Sequence, residues 1–197
     1  MSYSIDALTD NCYEGTTCLI NKLNITDEET LKNIEAAITF AKISELEQTP
    51  INGNFDFEHY QSIHKYIFED LYDWAGKIRD VDLSKKGTSF TLAKDIESLA
   101  ERCFARLKKE NYFETDNFDL FIENIVDFYC VSNMLHPFRE GNGRTQRVFI
   151  AQLIRKNGFD IDFSEIDNDE LIIATIHAAN GVTDYLKDIF RQIIKQP

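Results

Sequence analysis

The residues best suited to chemistry lie together in one stretch, from His136 to Arg147. This stretch has the order His-Pro-Phe-Arg-Glu-Gly-Asn-Gly-Arg-Thr-Gln-Arg. An imidazole can act as a base near neutral pH. Glycines have no Cβ, so they let backbone N–H groups approach an anion closely. The combination indicates an anion-binding loop with a base at its edge.

Apolar helical patterns flank the stretch on both sides. The upstream residues recur at three- and four-residue steps, which predicts a buried helix: Phe118, Phe121, Ile122, Ile125, Phe128 and Tyr129. A similar stripe continues downstream until Asn157-Gly158: Val148, Ala151, Leu153 and Ile154. Because Pro137 disfavours helical geometry at the residue before it, we expect the first helix to end at His136.

The second helix should add to the anion site. Its unpaired N–H groups and positive dipole end would point to the same place as the glycines. Arg144 and Arg147 are three residues apart, so both can reach an anion above the first turn. Glu140 beside such an anion is unfavourable unless a cation separates them, and Mg²⁺ suits oxygen ligands. The residues therefore predict a magnesium–polyphosphate site.

The stretch resembles the signature of the Fic domain, His-x-Phe-x-(Asp/Glu)-Gly-Asn-Gly-Arg-x-x-Arg, at every specified position. Fic proteins are usually adenylyltransferases, which move AMP from ATP to a Ser, Thr or Tyr hydroxyl of a target protein. The resemblance implies that His136 is the catalytic base and that Glu140 holds Mg²⁺. It implies an anion hole and phosphate ligands at Gly141, Asn142, Gly143, Arg144 (β-phosphate) and Arg147 (γ-phosphate). Phosphorylating relatives have a lysine-containing stretch instead, so nucleotidyl transfer is favoured here.

The composition limits the possible classes of protein. The chain has 197 residues, of which 43% are hydrophobic, enough for one domain with a sizeable core. Eight glycines and three prolines favour long helices over many turns. The formal net charge of −13 disfavours direct binding to nucleic acid or anionic lipid. We expect no membrane span and, because the four cysteines lack metal or disulfide spacing, a cytoplasmic location.

The remaining patterns predict an all-α Fic fold, a helical bundle with a small β-hairpin, in a single domain over residues 1–197. Residues 1–25 are expected to be an N-terminal lead-in, followed by a capping box at Thr26-Asp27-Glu28-Glu29 and a helix. Four further helices are expected: one from about Asp56, one over residues 93–110, one from Leu171 to Ala179 and one from Asp184 to Ile194. Residues 160–169 are expected to be a polar connector.

Residues 77–92 break the helical period and predict a hairpin around a glycine-containing turn. In the Fic family this segment is the flap, on which the target protein lays an extended segment. The resemblance implies nucleotide-binding roles for Lys85 and Lys86 in the flap and for Asn180 near the adenine. A solvated turn carrying two lysines is the alternative. His59, His64 and His177 have no metal-ligand spacing, so we expect surface or capped core histidines.

Many Fic proteins carry an inhibitory helix of pattern (Ser/Thr)-x-x-x-Glu-(Gly/Asn), whose glutamate pairs with the second motif arginine. No serine or threonine of this chain has a glutamate four residues later. The sequence therefore resembles toxin members of the family, whose inhibitory glutamate comes from a small antitoxin protein. Three alternatives stay open: a nucleotide-binding adaptor without transfer, transfer of another nucleotide or of phosphocholine, and a purely structural helix cap.

Overall fold

The computed structural model describes residues 11–85 and 88–196, which form seven α-helices and two very small sheets. The helices are α1 (Glu28–Gln48), α2 (Phe57–Phe68), α3 (Ile96–Lys109), α4 (Phe118–Leu135), α5 (Asn142–Lys156), α6 (Asn168–Ala179) and α7 (Asp184–Ile193). The strands are β1 (Ser84–Lys85), β2 (Thr88–Ser89), β3 (Asp160–Ile161) and β4 (Ile194–Lys195). The expected all-α architecture with a hairpin is confirmed.

The pair α4–α5 is the centre of the bundle. Helix α5 packs against α2, α4 and α1, while α4 also contacts α3, α6 and α7. Most of α5 is buried from Thr145 to Ile154, as expected for a helix enclosed by neighbours. The loop between the two central helices is consequently held by rigid elements on both sides.

Polar side chains cap the N-termini of four helices, α1, α2, α4 and α6. Asp56 accepts from the His59 N–H at 2.9 Å, and Asn117 accepts from the Leu120 N–H at 3.0 Å. The predicted capping box of α1 was wrong, because Asp27 is the N-cap and accepts from the Thr30 N–H at 2.8 Å. An ionised aspartate is a stronger acceptor for the first N–H groups than the Thr26 hydroxyl.

The hairpin is much shorter than the predicted segment, residues 77–92. Its strands pair Ser84 with Ser89 and Lys85 with Thr88, and the flanking residues are irregular. A hairpin of this size is unstable alone, so it depends on contacts with the bundle. Such contacts come from the Thr91 N–H and hydroxyl, which both donate to the Met134 carbonyl of α4 at 3.0 Å.

Three other boundaries differ from expectation. The start of the predicted helix 93–110 is a 3₁₀ turn, Ala93–Asp95. Helix α6 begins at Asn168, earlier than Leu171, because Asp167 caps it. The predicted connector 160–169 contains β3, which pairs with β4 at the end of the chain. Local periodicity cannot reveal a two-residue strand whose partner lies far away in sequence.

His64 links α2 to the loop between the central helices. It is fully buried, and its ring stacks on Phe138 at 3.8 Å and on Phe68 at 4.7 Å between centroids. The His64 Nδ1 accepts from the Gly76 N–H at 2.8 Å, so Nε2 carries the proton and donates to the Glu140 carbonyl at 3.0 Å. The ring therefore has to be neutral.

We expect the free energy of unfolding to fall in acid because of His64. Burial lowers its pKa to about 3, whereas an unfolded histidine titrates near pH 6.5. Between about pH 3 and 6.5 the unfolded chain binds the extra proton, so acidification favours unfolding. From pH 7 to pH 5 this histidine should cost about 2 kcal/mol of stability, measured by urea denaturation.

The control is a comparison of His64→Gln with His177→Gln, which changes an exposed histidine of α6. The His64 variant should lose that part of the pH dependence, and the His177 variant should keep it. Equal pH slopes in the wild type and the His64 variant would contradict the assignment.

Candidate functional site

His136 closes α4 in a left-handed conformation, with φ 43° and ψ 58°. This conformation is uncommon for residues other than glycine and asparagine, so the surroundings must hold it. The expected helix end at His136 is confirmed. The residue is 6% exposed, and its backbone directs the chain into the loop toward α5.

Arg79 holds the backbone at His136. Its Nε–H donates to the His136 carbonyl at 2.8 Å, and its backbone N–H donates to the Pro137 carbonyl at 2.9 Å. Its two Nη groups donate to Val81 and Thr91 carbonyls, both at 2.5 Å. Arg79 thus ties both flanks of the hairpin to the residue that carries the imidazole.

The imidazole of His136 is oriented by two further contacts. Its Nδ1 lies 3.2 Å from the Asn133 carbonyl. Because a carbonyl only accepts, Nδ1 carries the proton in the neutral ring, and Nε2 is then the nitrogen that can accept one. Phe90, next to strand β2, stacks on the ring at 3.7 Å and 9° between planes. These contacts suit a general base.

Asn142 closes the motif loop with its side chain. Its Oδ1 accepts from the Phe138 N–H at 2.8 Å, and its Nδ2 donates to the Phe138 carbonyl at 2.7 Å. The amide is therefore engaged within the protein, and the backbone N–H of Asn142 is available for an anion. Phe138 itself is fully buried, as expected for a loop anchored in the core.

Helix α5 begins with a turn of backbone N–H donors. Its first intrahelical hydrogen bond runs from the Thr145 N–H to the Gly141 carbonyl at 3.1 Å. The N–H groups of Asn142, Gly143 and Arg144 precede that bond and have no intrahelical acceptor. Gly141 must be glycine here, since φ is +80° and a Cβ would lie 2.2 Å from Phe68 Cζ. The helix start has the geometry of an anion site.

Glu140 lies at the base of the same turn. Its Oε1 accepts from the Gly141 N–H at 3.0 Å and is 3.7 Å from Arg144 Nη2. Within residues 11–85 and 88–196 there is no cluster of three or more His, Cys, Asp or Glu that could hold a metal ion. A cation at Glu140 would therefore need oxygens from phosphates and water, as Mg²⁺ usually takes. One carboxylate beside an anion site fits that requirement.

The two motif arginines differ in their partners. Arg144 donates to Glu35 of α1 at 2.6 Å. Arg147 is half-buried, and no described carboxylate lies within ion-pair distance of it. Burial lowers the pKa of Arg147 from its usual value, since desolvation disfavours the charged form, and the positive charge of Arg144 adds to this effect. An anion entering the site would find Arg147 without a carboxylate partner.

These groups border one cleft of about 1030 Å³, its open mouth included. The enclosed part of the cleft measures about 240 Å³, slightly below the range for ligand pockets, roughly 300–1000 Å³. Its lining includes His136, Glu140, Gly143, Arg144 and Arg147. Helix α6 adds a largely apolar face: Asn168, Leu171, Ile172, Thr175, Ile176 and Ala179. The cleft thus combines groups that can bind an anion with an apolar wall.

The other predicted site residues lie apart from this constellation or cannot be placed. Asn180 is exposed at the end of α6, donates to the Ile176 carbonyl at 2.8 Å, and does not line the cleft. Lys85 lies in β1, at the tip of the hairpin. Lys86 is outside the described residues. From the hairpin, Thr88 and Phe90 border the cleft instead.

Sequence reasoning missed several residues that shape the site. The sequence predicts no role for Phe90, Thr88 or Glu35, and near the adenine it predicts Asn180 alone. A signal did exist for the wall, because Ile172, Ile176 and Ala179 follow helical spacing beside the buried Leu171 and Ala174. No sequence pattern near either residue predicts the contact between Glu35 and Arg144.

Comparisons with known proteins extend over most of the chain. The profile of the Fic/DOC family matches residues 54–154. The chain is 37% identical over 177 residues to "Protein adenylyltransferase VbhT" of Bartonella schoenbuchensis, but it spans only 37% of that protein's length. It is 35% identical to "Probable protein adenylyltransferase y4lH" of Sinorhizobium fredii, covering 86% of this chain and 88% of that protein.

Solved structures of Fic proteins have the same fold as this chain. The BepC protein of Bartonella tribocorum, solved with bound AMPPNP, superposes with a TM-score of 0.89 at 28% identity, covering 95% of this chain and 97% of that one. A Fic domain of Bartonella quintana with bound ADP gives 0.88 at 28% identity, covering 94% and 95%. Because the family profile matches and these relatives are similar over most of the chain, the chain belongs to the Fic/DOC family.

Proposed function

We propose that the chain is a protein adenylyltransferase, which transfers AMP from ATP to a hydroxyl of a target protein. The observation that supports this most strongly is the single cleft shared by the His136 imidazole, the first turn of α5 and Arg147. The relatives named above carry the same enzyme name, and two of the solved neighbours hold AMPPNP or ADP.

The proposed reaction follows from the positions of these groups. His136 Nε2 accepts the proton of the target hydroxyl while that oxygen bonds to the α-phosphorus of ATP. The bond from the α-phosphorus to the bridging oxygen breaks, and pyrophosphate leaves. The backbone N–H groups at Asn142 and Gly143, with the dipole of α5, stabilise the charge that develops on the phosphate oxygens.

Two charged side chains complete this arrangement. Glu140 would hold Mg²⁺, which when bound offsets the negative charge of the phosphates. Arg147 would bind the γ-phosphate, because it enters the cleft without a described carboxylate partner. The apolar wall of α6 would accept the adenine, with Ile172 and Ile176 in place of the predicted Asn180.

The hairpin supplies a place for the target protein. Strands β1 and β2 form a two-stranded sheet, and Thr88 and Phe90 border the cleft beside His136. An extended target segment that paired with this sheet would bring its hydroxyl to the imidazole. The predicted roles of Lys85 and Lys86 stay part of this proposal.

We also propose that the chain is the toxin of a toxin–antitoxin pair. Arg147 has no carboxylate partner among residues 11–85 and 88–196, although it is half-buried. A glutamate from a small partner protein would pair with it and exclude the γ-phosphate. In this proposal the isolated chain is active, because no glutamate in the described part of the chain pairs with Arg147.

His136→Ala should reduce transfer by at least about 100-fold, since a positioned base contributes that much or more. ATP binding should persist, because the substitution leaves the anion site intact. The measurements are labelling of a bacterial lysate with Mg²⁺ and α-labelled ATP, and calorimetry of ATP binding. His177→Ala is the matched control. Labelling that survives in the His136 variant would contradict the role of the base, whereas ATP binding without label in the wild type would favour the adaptor.

Arg147→Ala should weaken binding of ATP by roughly 10- to 100-fold, the value of a lost charge-assisted hydrogen bond. Binding of AMP should hardly change, because AMP lacks the γ-phosphate. Calorimetry with both nucleotides tests this. Arg191→Ala, which removes an exposed arginine of α7, is the control. An equal loss of ATP and AMP affinity would show that Arg147 has a structural role instead.

The isolated wild-type chain should label its target without any activating substitution. This follows from the absence of a described internal carboxylate on Arg147. The same lysate assay measures it, with other nucleotides and a phosphocholine donor run in parallel. A chain that is silent alone and gains activity when an internal acid is changed would contradict the antitoxin proposal.

A further inference from the structure

Glu35 of α1 makes an ion pair with the first motif arginine. Its Oε1 lies 2.6 Å from Arg144 Nη2, and its Oε2 accepts a hydrogen bond from the Tyr72 hydroxyl. The side chains are 13% exposed for Glu35 and 23% for Arg144. A pair that is this shielded from water is more persistent than a surface pair.

Neighbouring groups hold Arg144 in one orientation. Its Nη1 donates to the Thr39 hydroxyl oxygen at 3.1 Å. The Thr39 hydroxyl itself donates to the Glu35 carbonyl at 2.8 Å, so its oxygen is directed to accept from the arginine. The guanidinium lies over the Phe68 ring, 4.7 Å from its centroid. Three sides of the guanidinium are thereby fixed by α1 and α2.

A second carboxylate competes for the same arginine. Glu140, four residues before Arg144 on the chain, is 3.7 Å from Arg144 Nη2. Residues at this spacing readily form ion pairs at a helix start. Without Glu35, Arg144 loses its only carboxylate contact on the α1 side among the described residues, so it can shift onto Glu140 and occupy the carboxylate to which the proposed function assigns Mg²⁺.

We propose that Glu35 is a positioning residue for transfer. It holds Arg144 on the α1 side of the cleft, which fixes the arginine for phosphate binding and keeps Glu140 available for Mg²⁺. This inference rests on the proposed function, and it assigns a part of the site to a helix outside the matched residues 54–154.

The opposite role would be inhibition. A carboxylate that occupied Arg144 in competition with the phosphates would have to leave before the nucleotide could bind. The two roles differ in sign, because a positioning carboxylate lowers activity when it is removed and a competing carboxylate raises activity. Substitutions of Glu35 therefore distinguish them directly.

The test compares Glu35→Ala, Glu35→Gln and Glu45→Gln. Glu45 is the matched control, since it lies on the same helix and also accepts from a tyrosine hydroxyl, Tyr66, at 2.5 Å, but does not pair with Arg144. Thermal unfolding and circular dichroism establish that each variant folds. Glu35→Gln keeps an oxygen acceptor without the charge, so its effect should be intermediate.

Calorimetry then measures ADP binding without Mg²⁺, Mg²⁺ binding in the presence of ADP, and AMP binding. We expect Glu35→Ala to bind ADP about tenfold more weakly than the wild type. The Mg²⁺ concentration that half-saturates the protein in the presence of ADP should rise by a similar factor. AMP binding should not change. The loss of transfer should come more from a higher KM for ATP than from a lower kcat. Glu45→Gln should behave as the wild type.

Two results would overturn the inference. Increased transfer or tighter ADP binding in Glu35→Gln would show that Glu35 competes with the nucleotide. Unchanged ADP and Mg²⁺ binding in Glu35→Ala would show that the ion pair only stabilises the fold. Failure of the proposed function is distinguishable from both, because the wild type itself would then show no His136-dependent label.

Discussion

The functional site depends on the closure of the loop between two buried helices. The Asn142 amide binds both backbone groups of Phe138, and the Phe138 ring is fully buried against His64. This closure forces left-handed backbone at His136 and at Gly141. With both ends fixed, the imidazole and the first N–H groups of α5 are placed relative to each other before any ligand arrives. Such preorganisation is what electrostatic catalysis requires.

Three arginines around the loop differ in their partners. Arg79 is buried and binds backbone carbonyls, Arg144 binds a carboxylate, and Arg147 has no described carboxylate partner. A chain with a net charge of −13 repels anions at long range. In the proposed function, attraction for phosphate is therefore local to the cleft, where the helix dipole and the two motif arginines would act at short distance and low dielectric.

Helix α1 has a role beyond covering the core. Its polar side chains Glu35 and Thr39 contact Arg144, and its buried residues Leu31 and Leu46 attach it to the bundle. No helix within residues 11–85 and 88–196 is long and apolar enough to cross a membrane. The contacts of α1 make the first motif arginine part of a network that extends beyond the signature.

The sequence by itself determined the helical fold, the end of α4 at His136 and the presence of a second helix after the glycine-containing loop. These features depend on short-range rules: apolar periodicity, the geometry before a proline, and the freedom of glycine. It also identified the motif residues that line the cleft, since they are close along the chain. Only the tertiary structure placed Phe90 on the imidazole, the α6 face in the same cleft as the anion site, and Glu35 on Arg144. Those contacts join residues far apart in sequence, and no local pattern records which surfaces meet when helices pack.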